Sequence, residues 1–230
     1  MAIGDFSGFD DRTFAFLIGL SAHNDKAWFE AHRDAYEAHY VGAAKSFVQT
    51  VGPRLADISP GVRFEARING SISRINRDVR FSKDKRPYKD HLDLWFWHGD
   101  KRGWDSPGFF LRLTAETLIL GAGMLVFPRD MLGRYRTLVS DPDAAADIRA
   151  VLDAVAASGP YRIGDKARKQ VPRGLPAMGA SGDMLLYDGL GATLEWDNGV
   201  ARDRGFVDFC LGHWRKCWPV GKWTLDRIWR

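Results

Sequence analysis

Residues 109–123 read FFLRLTAETLILGAG. Phe109, Leu111 and Leu113 alternate with Phe110, Arg112 and Thr114, which is the two-residue period of a strand. A short turn around Ala115-Glu116 leads into Thr117 to Gly123. Two such runs joined by a tight turn predict an antiparallel hairpin. Gly121 and Gly123 mark a bulge or a close backbone approach. Upstream, Ser106-Pro107-Gly108 punctuates the chain. Before it, His91 to Trp97 places Leu92, Leu94 and Phe96 on one face, and Ser71 to Ile75 alternates weakly. The middle of the chain therefore reads as sheet.

Outward from this centre the period changes to helical. Asp10 or Asp11 can cap a helix that carries Phe14, Leu17 and Ile18. Asn24 can cap a second, with Trp28, Phe29, His32, Tyr36 and Tyr40 at three- and four-residue spacings. Phe47, Val48, Val51 and Leu55 continue the period, with a kink or break expected at Gly52-Pro53. Pro60-Gly61 ends the region. After Pro128, a helix is expected over 129–138. Ser140-Asp141-Pro142 then starts another over 143–157. Residues 159–203 read as irregular. A helix is expected over 204–218, carrying Phe206, Phe209, Cys210, His213 and Cys217, broken by Pro219 to Gly221. A short last helix covers 223–229. The expectation is an α+β protein, a single domain over residues 1–230. Its sheet is antiparallel or mixed, flanked by N- and C-terminal helices.

A chain of 230 residues, 45% hydrophobic and 27% charged, can bury a sizeable core. No stretch approaches the ~18 apolar residues of a membrane span. The opening MAIGDFSGFDDR carries acids where a signal peptide needs cations, so a cytoplasmic location is expected. Cys210 and Cys217 are the two cysteines. On one helix they stand about 10 Å apart in rise, too far for a disulfide. They read as packing residues.

The net charge is +4, and it is not evenly spread. Residues 74–89, RINRDVRFSKDKRPYK, hold seven cations and two acids, +5 in sixteen residues, so the rest of the chain nets −1. A local excess of one sign points to an anion or to a solvated loop. Arginine suits bidentate capture of phosphate or carboxylate. Arg74, Arg77 and Arg80 are the candidates to grip an anion. Lys83, Lys85 and Lys89 add point charges, Asp78 can hold an arginine fork, and Tyr88 offers a hydroxyl. The competing reading is an ion-paired, partly solvated loop that contributes little stability.

Other constellations carry less. The nine tryptophans (28, 95, 97, 104, 196, 214, 218, 223 and 229) sit mostly outside the basic segment and read as packing rather than as a stacking platform. The six histidines, at 23, 32, 39, 91, 98 and 213, include no HExxH pairing. His91 and His98, with Asp90, Asp93 and Asp100 near, read as solvated or hydrogen-bonded groups before they read as a metal site. Gly121-Ala122-Gly123 is not a dinucleotide fingerprint. There is no P-loop and no GxSxG. Ser71, Ser73 and Ser82 have no ordered His/Asp partners. No cofactor and no metal are expected, and the sequence selects no reaction.

Residues Arg77 to Lys89 resemble the RDxRFSKDKxPYK hallmark of the family known as domain of unknown function 2461. Asn24-Asp25-Lys26-Ala27-Trp28-Phe29 is similar to that family's N-N-x-x-W-F element. Pro107-Gly108-Phe109-Phe110 is similar to its P-G-Y-Y strand start. Gly121 to Met124 resembles its glycine-rich strand end, and Pro172-Arg173-Gly174 its P-x-G element. The chain departs where Asp-His-Pro tends to follow, for Pro176-Ala177-Met178-Gly179 stands there. It departs again at His32, where an asparagine-like residue is more usual. The resemblance implies one family domain across nearly the whole chain and no particular reaction.

Three functions fit these residues. The leading one is binding of a small phosphate- or carboxylate-bearing ligand by Arg74, Arg77, Asp78, Arg80, Lys83, Lys85, Tyr88 and Lys89. Catalysis there would rest on electrostatics alone. The second is a nucleic-acid-binding module. The third is a structural or interaction protein whose basic segment is ion-paired. No membrane partner is expected.

Overall fold

The computed structural model describes residues 6–100, 105–175 and 178–229. Trp104 and the Pro176-Ala177 step lie outside the described residues.

The N-terminal helices are α1 (Asp11–Ala22), α2 (Lys26–Ala31), the single turn α3 (Arg33–Ala35), a π-helical turn (Tyr36–Gly42) and α4 (Ala43–Leu55). The strands β1 (Leu92–Trp97), β2 (Gly108–Leu113) and β3 (Thr117–Met124) follow. Then come α5 (Arg129–Val139), α6 (Pro142–Ala157), β4 (Arg162–Ile163), α7 (Ser181–Met184) and β5 (Leu190–Asp197). A 3₁₀ turn (Asn198–Arg202), α8 (Phe206–Thr224) and a π-helical turn (Leu225–Trp229) close the chain. The strands form one antiparallel sheet in the order β1-β2-β3-β5-β4. The protein is α+β, with helices before and after the strands along the chain. Among the described residues no helix is long and apolar enough to cross a membrane. The chain divides into two compact units, 1–96 with 110–120 and 195–212, and 97–109 with 121–194 and 213–230.

In the first unit, Asp10 caps α1 by accepting from the Thr13 amide at 2.9 Å. The cap satisfies one of the amides that a helix start leaves without a partner. Behind it, Phe6, Phe9, Phe47 and Phe206 form a ring cluster, with centroids 5.0 Å apart for Phe6–Phe9 and 5.4 Å for Phe47–Phe206. The second helix departs from expectation in three ways. Asp25, not Asn24, caps it, accepting from the Trp28 amide at 2.9 Å. The expected continuous helix breaks at His32, whose φ is −115°. It then resumes through the π turn, which buries Tyr36, Tyr40 and Val41. One extra residue per turn shifts the phase of the inward face.

No break occurs at Gly52-Pro53, for α4 runs through to Leu55. Pro53 and Gln49, four residues back, are both exposed. The carbonyl that proline leaves unpaired therefore lies on the solvent side, where water can replace the lost bond. The expected strand at 71–75 shrinks to an antiparallel bridge, Ile72↔Leu94. Flanking bonds run from the Ser73 amide to the Asp93 carbonyl and from the Trp95 amide to the Ser71 carbonyl. The chain just before it is coiled back on itself, with Asn69 at φ +61° and the Ser71 amide on the Glu65 carbonyl. In β1 every residue is buried, including Asp93, Trp95 and Trp97 on the face opposite Leu92, Leu94 and Phe96.

In the second unit, Gly123 has φ +120°, and a Cβ there would stand 2.5 Å from the Leu190 carbonyl oxygen. This is the close backbone approach expected from the glycines. Asp141 caps α6, accepting from the Asp143 and Ala144 amides, and Pro142 takes its first turn. Tyr135 of α5 donates to the Met184 carbonyl at 2.8 Å. Residues 159–203, expected to be irregular, contain β4 and β5, paired antiparallel with Ile163 opposite Ala192. The expected break at Pro219 is also absent, for α8 continues to Thr224. Trp214 and Trp218 pack on Phe109, with ring centroids 6.0 and 4.4 Å away. Cys210 and Cys217 are buried free thiols.

Candidate functional site

The basic segment is a closed loop of the first unit. Its neck is a short antiparallel ladder: an Asn76↔Tyr88 bridge, the Arg77 amide on the Pro87 carbonyl at 2.9 Å, and the Lys89 amide on the Ile75 carbonyl at 2.8 Å. Residues 78–86 form the projecting part.

The neck is anchored by the first helices. The Tyr88 amide donates to Asn24 Oδ1 at 3.0 Å, and Asn24 Nδ2 donates to the Tyr88 carbonyl at 3.1 Å. The Tyr88 ring stacks on Phe29 at 4.3 Å. Two stretches far apart in sequence, Asn24–Phe29 and Pro87-Tyr88-Lys89, thus meet. Burial pushes the Tyr88 hydroxyl up from its ordinary value.

Below the neck, Asp93 is a buried hub. Its side chain is 4% exposed and receives Lys89 Nζ at 3.0 Å and Arg112 Nε at 2.7 Å. His91 Nε2 stands 3.2 Å from Asp93, and His91 Nδ1 stands 2.9 Å from Asp90. Burial alone would raise the Asp93 carboxyl. Hydrogen bonds from His91 and Arg112 outweigh it and hold the group well below the usual carboxylate range. The expected site cations Lys89 and the unforeseen Arg112 are therefore engaged here. Asp93 thus joins Lys89 and Arg112 in an ion-pair network, with His91 bridging Asp93 and Asp90. His98 is placed separately, its Nδ1 2.9 Å from the Pro107 carbonyl.

Within the loop, acids and arginines pair locally. Arg77 donates to Asp84 at 2.8 Å and to the Arg86 carbonyl at 3.0 Å. Arg86 donates to Asp84 at 3.0 Å and reaches Asp90 at 3.4 Å. Bonds from the Arg86 side chain and amide, with Arg77 beside them, hold Asp84 far below its ordinary value. Arg80 forms a two-pronged pair with Asp78, Nε to Oδ1 at 2.9 Å and Nη2 to Oδ2 at 2.7 Å. That is the arginine fork expected of Asp78. Lys85 donates to the Val79 carbonyl at 2.9 Å and closes the tip.

The pairing sorts the charge. Arg77 and Arg86 are matched by Asp84 and Asp90, and Lys89 shares Asp93 with Arg112. The excess is left on Arg74, just before the neck, and on Arg80, Lys83 and Lys85 of the projecting part. Arg74 and Arg80 both act on Asp78, Arg80 by contact and Arg74 through its charge. Among the described residues Arg74 and Lys83 take no salt bridge. Phe81 is 94% exposed, with the Arg80 guanidinium 5.8 Å from its ring centroid. Of the expected grip, Arg74 and Arg80 both act on Asp78, while Arg77 pairs with Asp84 instead. Phe81 was the residue to notice in the sequence, an aromatic side chain among six charged neighbours. Asn24 and Arg112 gave no such signal, because their partners are distant in sequence.

Over residues 12–223 the chain matches the family described as conserved hypothetical protein (DUF2461), and it belongs to that family. No curated protein and no solved structure matches it.

Proposed function

We propose that this DUF2461 protein binds a small ligand that carries a carboxylate or phosphate beside an apolar group, and that the tip of the 74–89 loop is the binding surface. The observation that carries this reading is an exposed Phe81 with Arg80 against its ring, in a segment whose unmatched cations include Lys83 two residues on and Arg74, which acts on the same Asp78 as Arg80. An aromatic ring is costly to leave in water, and the ion pairs within the loop restrict the segment that presents it. Arg74 and Lys83 meet the anion. Arg80, oriented by Asp78, adds a fixed donor plane. Phe81 covers the apolar part of the ligand. Lys85 and Arg77 shape the loop, and Tyr88 and Lys89 fix its neck.

Calorimetry with phenyl phosphate and inorganic phosphate tests this. Phenyl phosphate should bind saturably and more tightly, and Phe81→Ser should remove its advantage. If neither anion binds and neither raises the melting temperature, the reading fails.

Arg80 beside Phe81 also favours a second reading, a stacking contact for single-stranded nucleic acid. That reading requires oligonucleotide affinity that falls steeply with salt.

A further inference from the structure

A second candidate site is a cleft of about 510 Å³ between α1 and the α2–π-turn segment. It is independent of the loop reading. Arg12 and Phe16 line it from α1, and Trp28, His32 and His39 line it from the opposite side. Ala15 and Ala35 keep the space open. Gly19 lets Trp28 pack directly on the helix backbone, for a Cβ there would stand 2.5 Å from the indole.

Both histidines are held at the same atom. His32 Nδ1 lies 2.8 Å from the Trp28 carbonyl, and its ring stacks on Trp28 at 4.0 Å with 15° between the planes. A carbonyl can only accept, so Nδ1 carries the proton. His39 Nδ1 lies 3.2 Å from Asp10 Oδ2. Asp10 is itself fixed as the α1 cap, its other oxygen on the Thr13 amide. Thr13 Oγ1 donates to the His39 carbonyl at 2.6 Å and ties that backbone down as well. Nδ1 is again the proton carrier, because the low-lying Asp10 carboxylate only accepts. Burial would raise Asp10, but the Thr13 bonds and His39 lower it.

When such a ring carries a single proton, that proton is on Nδ1 and Nε2 is a bare acceptor. Among the described residues neither Nε2 has a hydrogen-bond partner. His39 sits in the π turn, a feature that recurs at functional sites. Arg12 is exposed and takes no ion pair among the described residues. Nearby Asp11 is already paired with Arg202 at 3.0 Å. The cleft thus combines one unmatched guanidinium, two imidazoles oriented through Nδ1 and an aromatic wall.

The geometry points to a binding site for a hydroxylated aromatic carboxylate: Arg12 holds the carboxylate, Phe16 and Trp28 border the ring, and the Nε2 of His39 or His32 accepts from the hydroxyl. Asp10 is a positioning residue that fixes the His39 tautomer.

The probes are 4-hydroxybenzoate and benzoate, with affinity read by calorimetry and the imidazole tautomers by nitrogen NMR. 4-Hydroxybenzoate should bind saturably and more tightly than benzoate. Arg12→Ala should weaken both ligands about tenfold, the loss of one charge-assisted contact. His39→Gln with His32→Gln should bring the two ligands to equal affinity, which a merely structural role would not do. Asp10→Asn keeps a good helix cap and should shift His39 away from the pure Nδ1–H form. Phe81→Ser should change nothing here, which separates this site from the loop. Absence of saturable binding, indifference to Arg12→Ala, or an Nε2–H tautomer at His39 overturns the proposal.

Discussion

Asn24 and Tyr88, 64 positions apart in the chain, exchange two hydrogen bonds through one side-chain amide and one backbone residue. The amide offers a donor and an acceptor in the same geometry as a neighbouring strand. Few other side chains can do both. Asn24→Asp keeps the shape and loses the donor, setting a carboxylate oxygen against the Tyr88 carbonyl. It should cost about 1–3 kcal/mol. Urea unfolding measures the loss, and an unchanged midpoint would remove Asn24 from the account of the neck.

Asp93 should be the most sensitive charged position of the first unit. Asp93→Ala leaves Lys89, Arg112 and His91 facing one another without their carboxylate. Breaking a buried network in this way costs about 3–5 kcal/mol. The pH dependence has a definite sign. The folded carboxyl lies below its unfolded value, so its stabilisation is complete above about pH 4 and is lost as pH falls toward the folded value. The stability gap between wild type and Asp93→Asn should therefore narrow on acidification below that point. A gap that stays constant would mean the carboxylate charge is not what stabilises.

Gly123→Ala tests the close approach in the second unit. The substitution combines a φ of +120° with a Cβ 2.5 Å from the Leu190 carbonyl oxygen. Strain alone costs about 1–3 kcal/mol, and the contact adds to it. Ala at Gly133, where a Cβ meets nothing within 4 Å, is the control and should raise stability slightly through helix propensity. Equal effects at the two positions would contradict the geometry.

The thiols should be unreactive in the folded protein. Burial pushes Cys217 up to about 12 and raises Cys210 well above its ordinary value. For Cys217 the rise from 9.0 to about 12 lowers the thiolate fraction about a thousandfold at neutral pH. Alkylation followed by mass spectrometry should find both thiols slow in the native state and fast in denaturant. Rapid native labelling of Cys217 would contradict its burial.

The hairpin β2–β3 was legible because everything that defines it is local: the alternation, the turn and the glycines. β5 was not. Leu190, Ala192 and Leu194 do alternate with Gly191 and Thr193, but glycine at 189 and 191 masks the period. Its partner β4 spans two residues, too short to leave a pattern. The prolines misled for a related reason. Pro53 and Pro219 each stand on the exposed side of their helix, with Gln49 and Arg215 exposed four residues earlier, and sequence does not say which side a proline faces. The basic segment was legible as a unit, and so was its hallmark. Its internal pairing was not, for a charge count cannot tell Arg77, spent on Asp84, from Arg74, which takes no such partner.

The loop's brace also sets its lifetime against proteases. Arg80, Lys83 and Lys85 offer trypsin exposed cleavage points at the tip. A protease must thread several extended residues through its active site, so the neck ladder and the Asp84 pairs have to open first. Cutting at this loop then reports how often it opens. Those pairs lie near the surface and are screened by salt. Nicking between residues 78 and 86 should therefore quicken as ionic strength rises, whereas a segment with no brace would be cut at a rate set by the enzyme alone.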